Sequence, residues 1–73
     1  MMKTLYDVQQ LLKQYGIVVY VGSRLYDIEM MGIELKNLHQ SKLVDDETYQ
    51  QAWLILKREH RIELEHMKED NHG

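Results

Sequence analysis

The chain predicts an all-α fold, a small three-helix bundle with an extended apolar connector between the first and second helices. Three observations predict it. Apolar residues recur at helical spacing in three stretches, and each stretch opens on a residue able to cap free helix amides. No proline interrupts any of them. One further run, Ile17-Val18-Val19-Tyr20-Val21, is strand-like, but no second such run exists to pair with it.

The first helix should start after Thr4, whose hydroxyl can accept an amide of the first turn. Asp7, three residues on, makes a weaker form of the capping box. Leu5, Val8, Leu11 or Leu12, and Tyr15 recur on one face, and Gly16 suits the left-handed position that ends a helix. Ile17 to Val21 then runs as an extended connector packed over the helices. Ser23 is the expected N-cap of the second helix, whose stripe is Leu25, Ile28, Met31, Leu35 and Leu38. Gly32 lies on the same side, permitting close helix approach at a cost of roughly 1 kcal/mol against alanine. This helix should fray near Gln40 and Ser41.

The third helix starts at Asp45 as N-cap, with Asp46 and Glu47 favouring the positive helix end and Val44 and Tyr49 forming a hydrophobic staple. Its stripe reads Tyr49, Ala52, Trp53 and Leu56, and continues through His60, Leu64 and Met67. This register buries Trp53 between the first and second helices. Beyond Glu59 the chain is mostly charged. The expected organisation is one three-helix domain, 1–67, and a disordered tail, 68–73.

Seventy-three residues make one small domain. A chain this short buries roughly 60% of the surface its unfolded form exposes, so stability is marginal. Domains of this size commonly add a staple or a partner subunit. The absence of cysteine excludes disulfides, thiolate metal sites and a thiol nucleophile, and agrees with a reducing compartment. Met1 to Asp7 holds no apolar run of leader length, and Ile17 to Val21 falls far short of the roughly 20 residues that span a bilayer. The expected location is the cytoplasm, with no membrane partner. A net charge of −3 disfavours a general nucleic-acid binder.

Several segments carry a resemblance. They are Leu5 to Leu12, then Gly22-x-Arg24-x-Tyr26-Asp27-Ile28-Glu29, then Glu34-Leu35-Lys36, then Leu43-Val44-Asp45 with Tyr49 and Leu54-Ile55-Leu56. In order and spacing they resemble the YqgQ-like family of small bacterial proteins. The resemblance covers roughly residues 4–59. It implies a three-helix bundle and supplies no catalytic residues. Ser23 stands where the family more often has an acidic residue, which keeps an N-cap but removes a charge beside Arg24.

The chemistry-bearing residues point to binding rather than catalysis. Glu63-x-x-His66 and Glu69-x-x-His72 have the spacing of di-iron bundles, but both lie on one terminal segment and face about 240° apart. They read as a solvated charged segment. No phosphate loop, Ser-His-Asp order or paired-carboxylate site emerges, so no catalytic, metal or cofactor residues are assigned and the chain is read as a non-enzyme.

Two binding constellations remain. Gly22, Ser23 and Arg24 could hold a phosphate at a helix N-terminus, with Tyr20 and Tyr26 flanking it to stack bases. Lys13, Lys36 or Lys42 would help a single strand to bind. The plainer reading is an N-cap with Arg24 paired to Asp27 or Asp7. The second constellation is geometric. With Leu25 at zero on the helical wheel, the main stripe centres near 280°, while Tyr26, Met30 and Ile33 fall at about 100°, 140° and 80°. Either Ile17 to Val21 folds over this opposite face or another chain does. The leading expectation is a protein-binding or self-associating module using Tyr26, Met30 and Ile33. The alternative is a weak single-stranded nucleic-acid binder using Arg24 and its tyrosines.

Overall fold

The computed structural model describes residues 1–70 and contains three helices, α1 (Leu5–Lys13), α2 (Arg24–Gln40) and α3 (Asp46–Asp70). No strand occurs among the described residues. The all-α three-helix prediction holds. α3 continues helically to Asp70, beyond the Met67 boundary expected of the domain, and residues 71–73 of the expected tail lie outside the described residues.

The caps at the helix starts form much as the sequence reads. Thr4 is extended, and its hydroxyl accepts the Asp7 amide at 3.3 Å. The Asp7 carboxylate accepts the Thr4 amide at 3.0 Å and the Lys3 amide at 2.8 Å, which closes the capping box. These bonds hold the Asp7 carboxyl below its ordinary pKa, the Lys3 and Thr4 amides being the main causes. Asp45 accepts the Thr48 amide at 2.8 Å, and its pKa is likewise lowered by its hydrogen bonds with Thr48. Ser23 takes the N-cap position of α2, but its hydroxyl makes no cap bond. Asp27 instead accepts the Val21 amide at 2.6 Å, which ties the connector to the first turn without capping the helix.

Both α1 and α2 end on the same device. The Ile17 amide donates to the Leu12 carbonyl and the Gly16 amide to the Lys13 carbonyl, with Gly16 at φ 75°. The Leu43 amide donates to the Leu38 carbonyl and the Lys42 amide to the His39 carbonyl, with Lys42 at φ 62°. Each is the paired bond pattern that closes a helix through one left-handed residue. Glycine takes that conformation freely, whereas lysine brings a Cβ against its own backbone.

Topology explains the connector. The start of α2 meets the far half of α3 through Arg24 and Glu59, and the end of α2 meets the start of α3 through His39 and Asp46, so these two helices are antiparallel. α1 begins beside Arg58, which donates to the Lys3 carbonyl at 2.8 Å. It ends beside Leu43, whose carbonyl accepts the Tyr15 hydroxyl at 2.9 Å. α1 therefore runs parallel to α2, and the chain must return along the bundle between them. From Gly16 to Gly22, extended backbone at about 3.3 Å per residue covers roughly 20 Å, enough for that return. Ile17 and Val19 pack against the core, and Val18 and Tyr20 point to solvent.

The core lies where all three helices meet. Leu5, Val8 and Leu12 come from α1, Ile28, Met31, Leu35 and Leu38 from α2, and Ala52, Ile55 and Leu56 from α3, with Val44 beneath the last turn. Leu12, Met31, Leu35 and Val8 are the largest side chains fully removed from water. The predicted α2 stripe is buried throughout, and the α1 stripe matches through Leu12, whereas Tyr15 lies past the end of the helix and is exposed. The α3 stripe does not match this core. Trp53 is 40% exposed rather than buried between α1 and α2, and Leu64 and Met67 are also exposed. Ile55 takes the interior place. The helix is rotated relative to the predicted register: Ala52, Ile55 and Leu56 face the core, and Glu59 and Glu63 follow on the same side, half-buried beside Arg24 and Arg58.

Candidate functional site

The outer face of α2 is open. Tyr26, Met30 and Ile33 are 58%, 36% and 53% exposed. The connector does not cover them, since its Ile17 and Val19 line a pocket with Leu12 and Met31 on another flank of α2. The two interior-facing positions of the connector are thereby satisfied by the side of α2 that was already apolar. Ile33 is shared between this outer face and a groove described below.

The N-terminal end of α2 is more crowded with charge than its sequence suggests. The Arg24 guanidinium donates to Glu59 at 3.2 Å and lies 3.6 Å from Glu63, both on α3, rather than meeting Asp27 or Asp7. Arg58 approaches the other oxygen of Glu59 at 3.3 Å while also holding the Lys3 carbonyl. One chain of contacts thus joins the starts of α1 and α2 to the middle of α3. A phosphate brought to Gly22, Ser23 and Arg24 would meet the carboxylates of Asp27, Glu59 and Glu63, which repel it. Tyr20 and Tyr26 are both exposed nearby in sequence. The three assisting lysines do not gather there. Lys13 lines the connector pocket, Lys36 the groove, and Lys42 the turn after α2.

A feature missed in the sequence is an open groove of about 970 Å³ along α2 and α3. Its apolar lining includes Gly32 and Ile33 from α2 and Trp53, Leu56 and Leu64 from α3. Its rim is basic, with Lys36, Lys57 and Arg61 among the lining residues. Glu29 is hydrogen-bonded to His60 at 2.8 Å, and Glu65 pairs with Arg61 at 3.6 Å. Trp53 stacks on Tyr49 with ring centres 6.2 Å apart, and Tyr49 stacks on His39 at 4.0 Å. The sequence signal for the groove was present in the spacing of Trp53, Lys57, Arg61, Leu64 and Lys68, which falls along one side of a helix.

Among the described residues no three His, Asp or Glu side chains gather as a metal-binding group, and no helix is long and apolar enough to cross a membrane. His72 lies outside the described residues. The geometry defines a small three-helix domain with one uncovered apolar helix face and an adjoining basic groove. The chain belongs to the YqgQ-like family, whose model matches residues 2–62. A Bacillus subtilis (strain 168) protein named uncharacterized protein YqgQ is 45% identical over 58 residues, covering 80% of this chain and 82% of that one. The match ends before Leu64 and Lys68, so the far end of the groove lies beyond the shared segment.

Proposed function

We propose that this chain is a cytoplasmic protein-interaction module, acting by binding rather than catalysis, whose contact surface is the outer face of α2 at Tyr26, Met30 and Ile33. The supporting observation is that, among the described residues, no other segment covers these three side chains. Apolar residues at helical spacing that the chain's own connector passes by are a surface for another protein, and a thioether such as Met30 adapts to varied contacts. Sedimentation at rising concentration and co-purification from bacterial cytoplasm test the reading, with Met30→Asp as the control. The variant should lose self-association or the co-purifying protein, because an unpaired charge in an apolar interface costs several kcal/mol. The reading fails if wild type stays monomeric and retains no protein that Met30→Asp loses.

A second reading, binding of single-stranded nucleic acid, draws support from the groove more than from Arg24. Trp53 stands partly exposed there beside Lys57 and Arg61, an aromatic platform within reach of phosphate-binding cations. Retention of a labelled oligonucleotide at two salt concentrations discriminates, since phosphate contacts release counterions. Arg24→Ala should leave that retention nearly unchanged, while Lys57→Ala should weaken it and flatten its salt dependence.

A further inference from the structure

We infer that the groove between α2 and α3 receives an acidic amphipathic helix from a protein partner. This rests on the interaction-module reading and names the chemistry of what is bound.

The groove has the two properties such a helix requires. The first is an apolar bed that the chain leaves unfilled. Ile28 and Leu56 are buried at its base, Gly32 contributes no side chain, and Ile33, Trp53 and Leu64 stand 53%, 40% and 41% exposed along it. From Trp53 to Lys68 the α3 wall is about 22 Å long at 1.5 Å per residue, the length of about four turns of a docked helix. Alternate anchors at i, i+3, i+4 and i+7 of such a helix would seat on this bed.

The second property is charge of the opposite sign. Five cationic side chains line the groove, Lys36, Lys57, Arg58, Arg61 and Lys68, against the two carboxylates of Glu29 and Glu65, on a chain whose net charge is −3. Both carboxylates are engaged, Glu29 by His60 and Glu65 by Arg61, and Arg58 is likewise taken by Glu59, so the lysines carry the open positive charge of the groove. Lys36 and Lys57 make no ion pair among the described residues. Cations on an acidic chain, held free beside an apolar trough, select an acidic partner and reject a basic one.

Other occupants fit less well. A second copy presenting the same groove would bring Lys57 and Arg61 against their own counterparts. A single strand would find one exposed aromatic ring, Trp53, one side of which already stacks on Tyr49, over a bed that is otherwise aliphatic. Base stacking along a strand uses successive rings.

Trp53 is the single tryptophan, so its fluorescence reports the groove directly. The probe is a synthetic peptide of about 18 residues with leucine at the anchor positions and Glu and Ala elsewhere. Its counterpart carries Lys for Glu, and a third arm uses a thymidine oligonucleotide. The full-length protein should give a blue-shifted Trp53 emission with the acidic peptide only. Affinity should fall about tenfold or more in a Lys36→Glu, Lys57→Glu double variant, as expected when a complementary rim is reversed. Gly32→Leu should fill the trough and abolish the shift while keeping the fold, because a Cβ at Gly32 meets only the Trp53 ring, at an ordinary 3.8 Å. Melting curves confirm that each variant is folded.

An equal response to both peptides reduces the groove to non-selective apolar adhesion and overturns the inference. A response to the oligonucleotide but not to the acidic peptide assigns the groove to nucleic acid. A shift that appears with protein concentration alone assigns it to a second copy. If the groove variants leave Met30-dependent association intact and the acidic peptide does not bind, this inference falls while the interaction-module reading stands. If wild type also shows no association and no partner, both fall.

Discussion

The two flanks of α2 meet different fates. On one, the extended connector lays Ile17 and Val19 against Leu12 and Met31, and the apolar surface is closed. On the other, α3 approaches but leaves Ile33, Trp53 and Leu64 in reach of solvent, and no segment among the described residues returns to cover them. Among the described residues one connector is long enough to serve as a cover, and the return that the parallel course of α1 and α2 requires lies on the first flank. What one flank gains in burial the other presents to its surroundings.

The sharpest test of that contrast compares one residue from each side. Leu35→Ala removes a side chain with no exposure and should cost about 3–5 kcal/mol, enough to unfold most of the population of so small a domain. Trp53→Ala, on the open flank, should cost only about 1–2 kcal/mol, since its ring is already part-hydrated. Urea denaturation of both variants checks the order. A Trp53→Ala loss as large as that of Leu35→Ala would mean that the groove closes in solution.

A smaller effect, of opposite sign, is expected in the turn between α2 and α3. Lys42→Gly should stabilise by about 0.5–1 kcal/mol, because the left-handed backbone there suits glycine. Gly16→Lys should destabilise the equivalent end of α1 by a similar amount. Thermal melts of the two reciprocal variants are the measurement.

The smallest effect is electrostatic. The folded pKa values of Asp7 and Asp45 are depressed, so the stability they contribute is fully present above the unfolded value near pH 4 and is lost as pH falls through the folded values. Melting temperature should drop in that acid window. Asp45→Asn keeps an acceptor for the Thr48 amide but cannot titrate, so it should blunt the drop.

How much of this was legible follows from the range of each interaction. The helix starts at Thr4 and Asp45 and the stop at Gly16 were readable because their partners lie within a few residues. The stop at Lys42 was not, since a lysine carries no sign of left-handed backbone. The second apolar face of α2 followed from the wheel positions of Tyr26, Met30 and Ile33, but whether the connector would cover it did not. The groove was hidden by α3. Leu54, Ile55 and Leu56 are consecutive and apolar, so they fit more than one register, and the one adopted buries Ile55 and Leu56 and leaves Leu54 and Trp53 exposed. A sequence reading places carboxylates outside, and the contact of Glu59 with Arg24, 35 residues away, is not visible in it.

The parallel placement of α1 has one more consequence, for the order in which the molecule opens. α2 and α3 are neighbours in sequence, joined by a short turn, and form the larger interface, whereas α1 docks at the end of a long return. Its nine residues give one buried stripe, two capping partners and the tether of Arg58 to Lys3. Native-state hydrogen exchange should therefore release the amides of α1 at lower free energy than those of the α2–α3 hairpin, making α1 a separately opening unit whose departure bares the inner face of Met31 and Leu35.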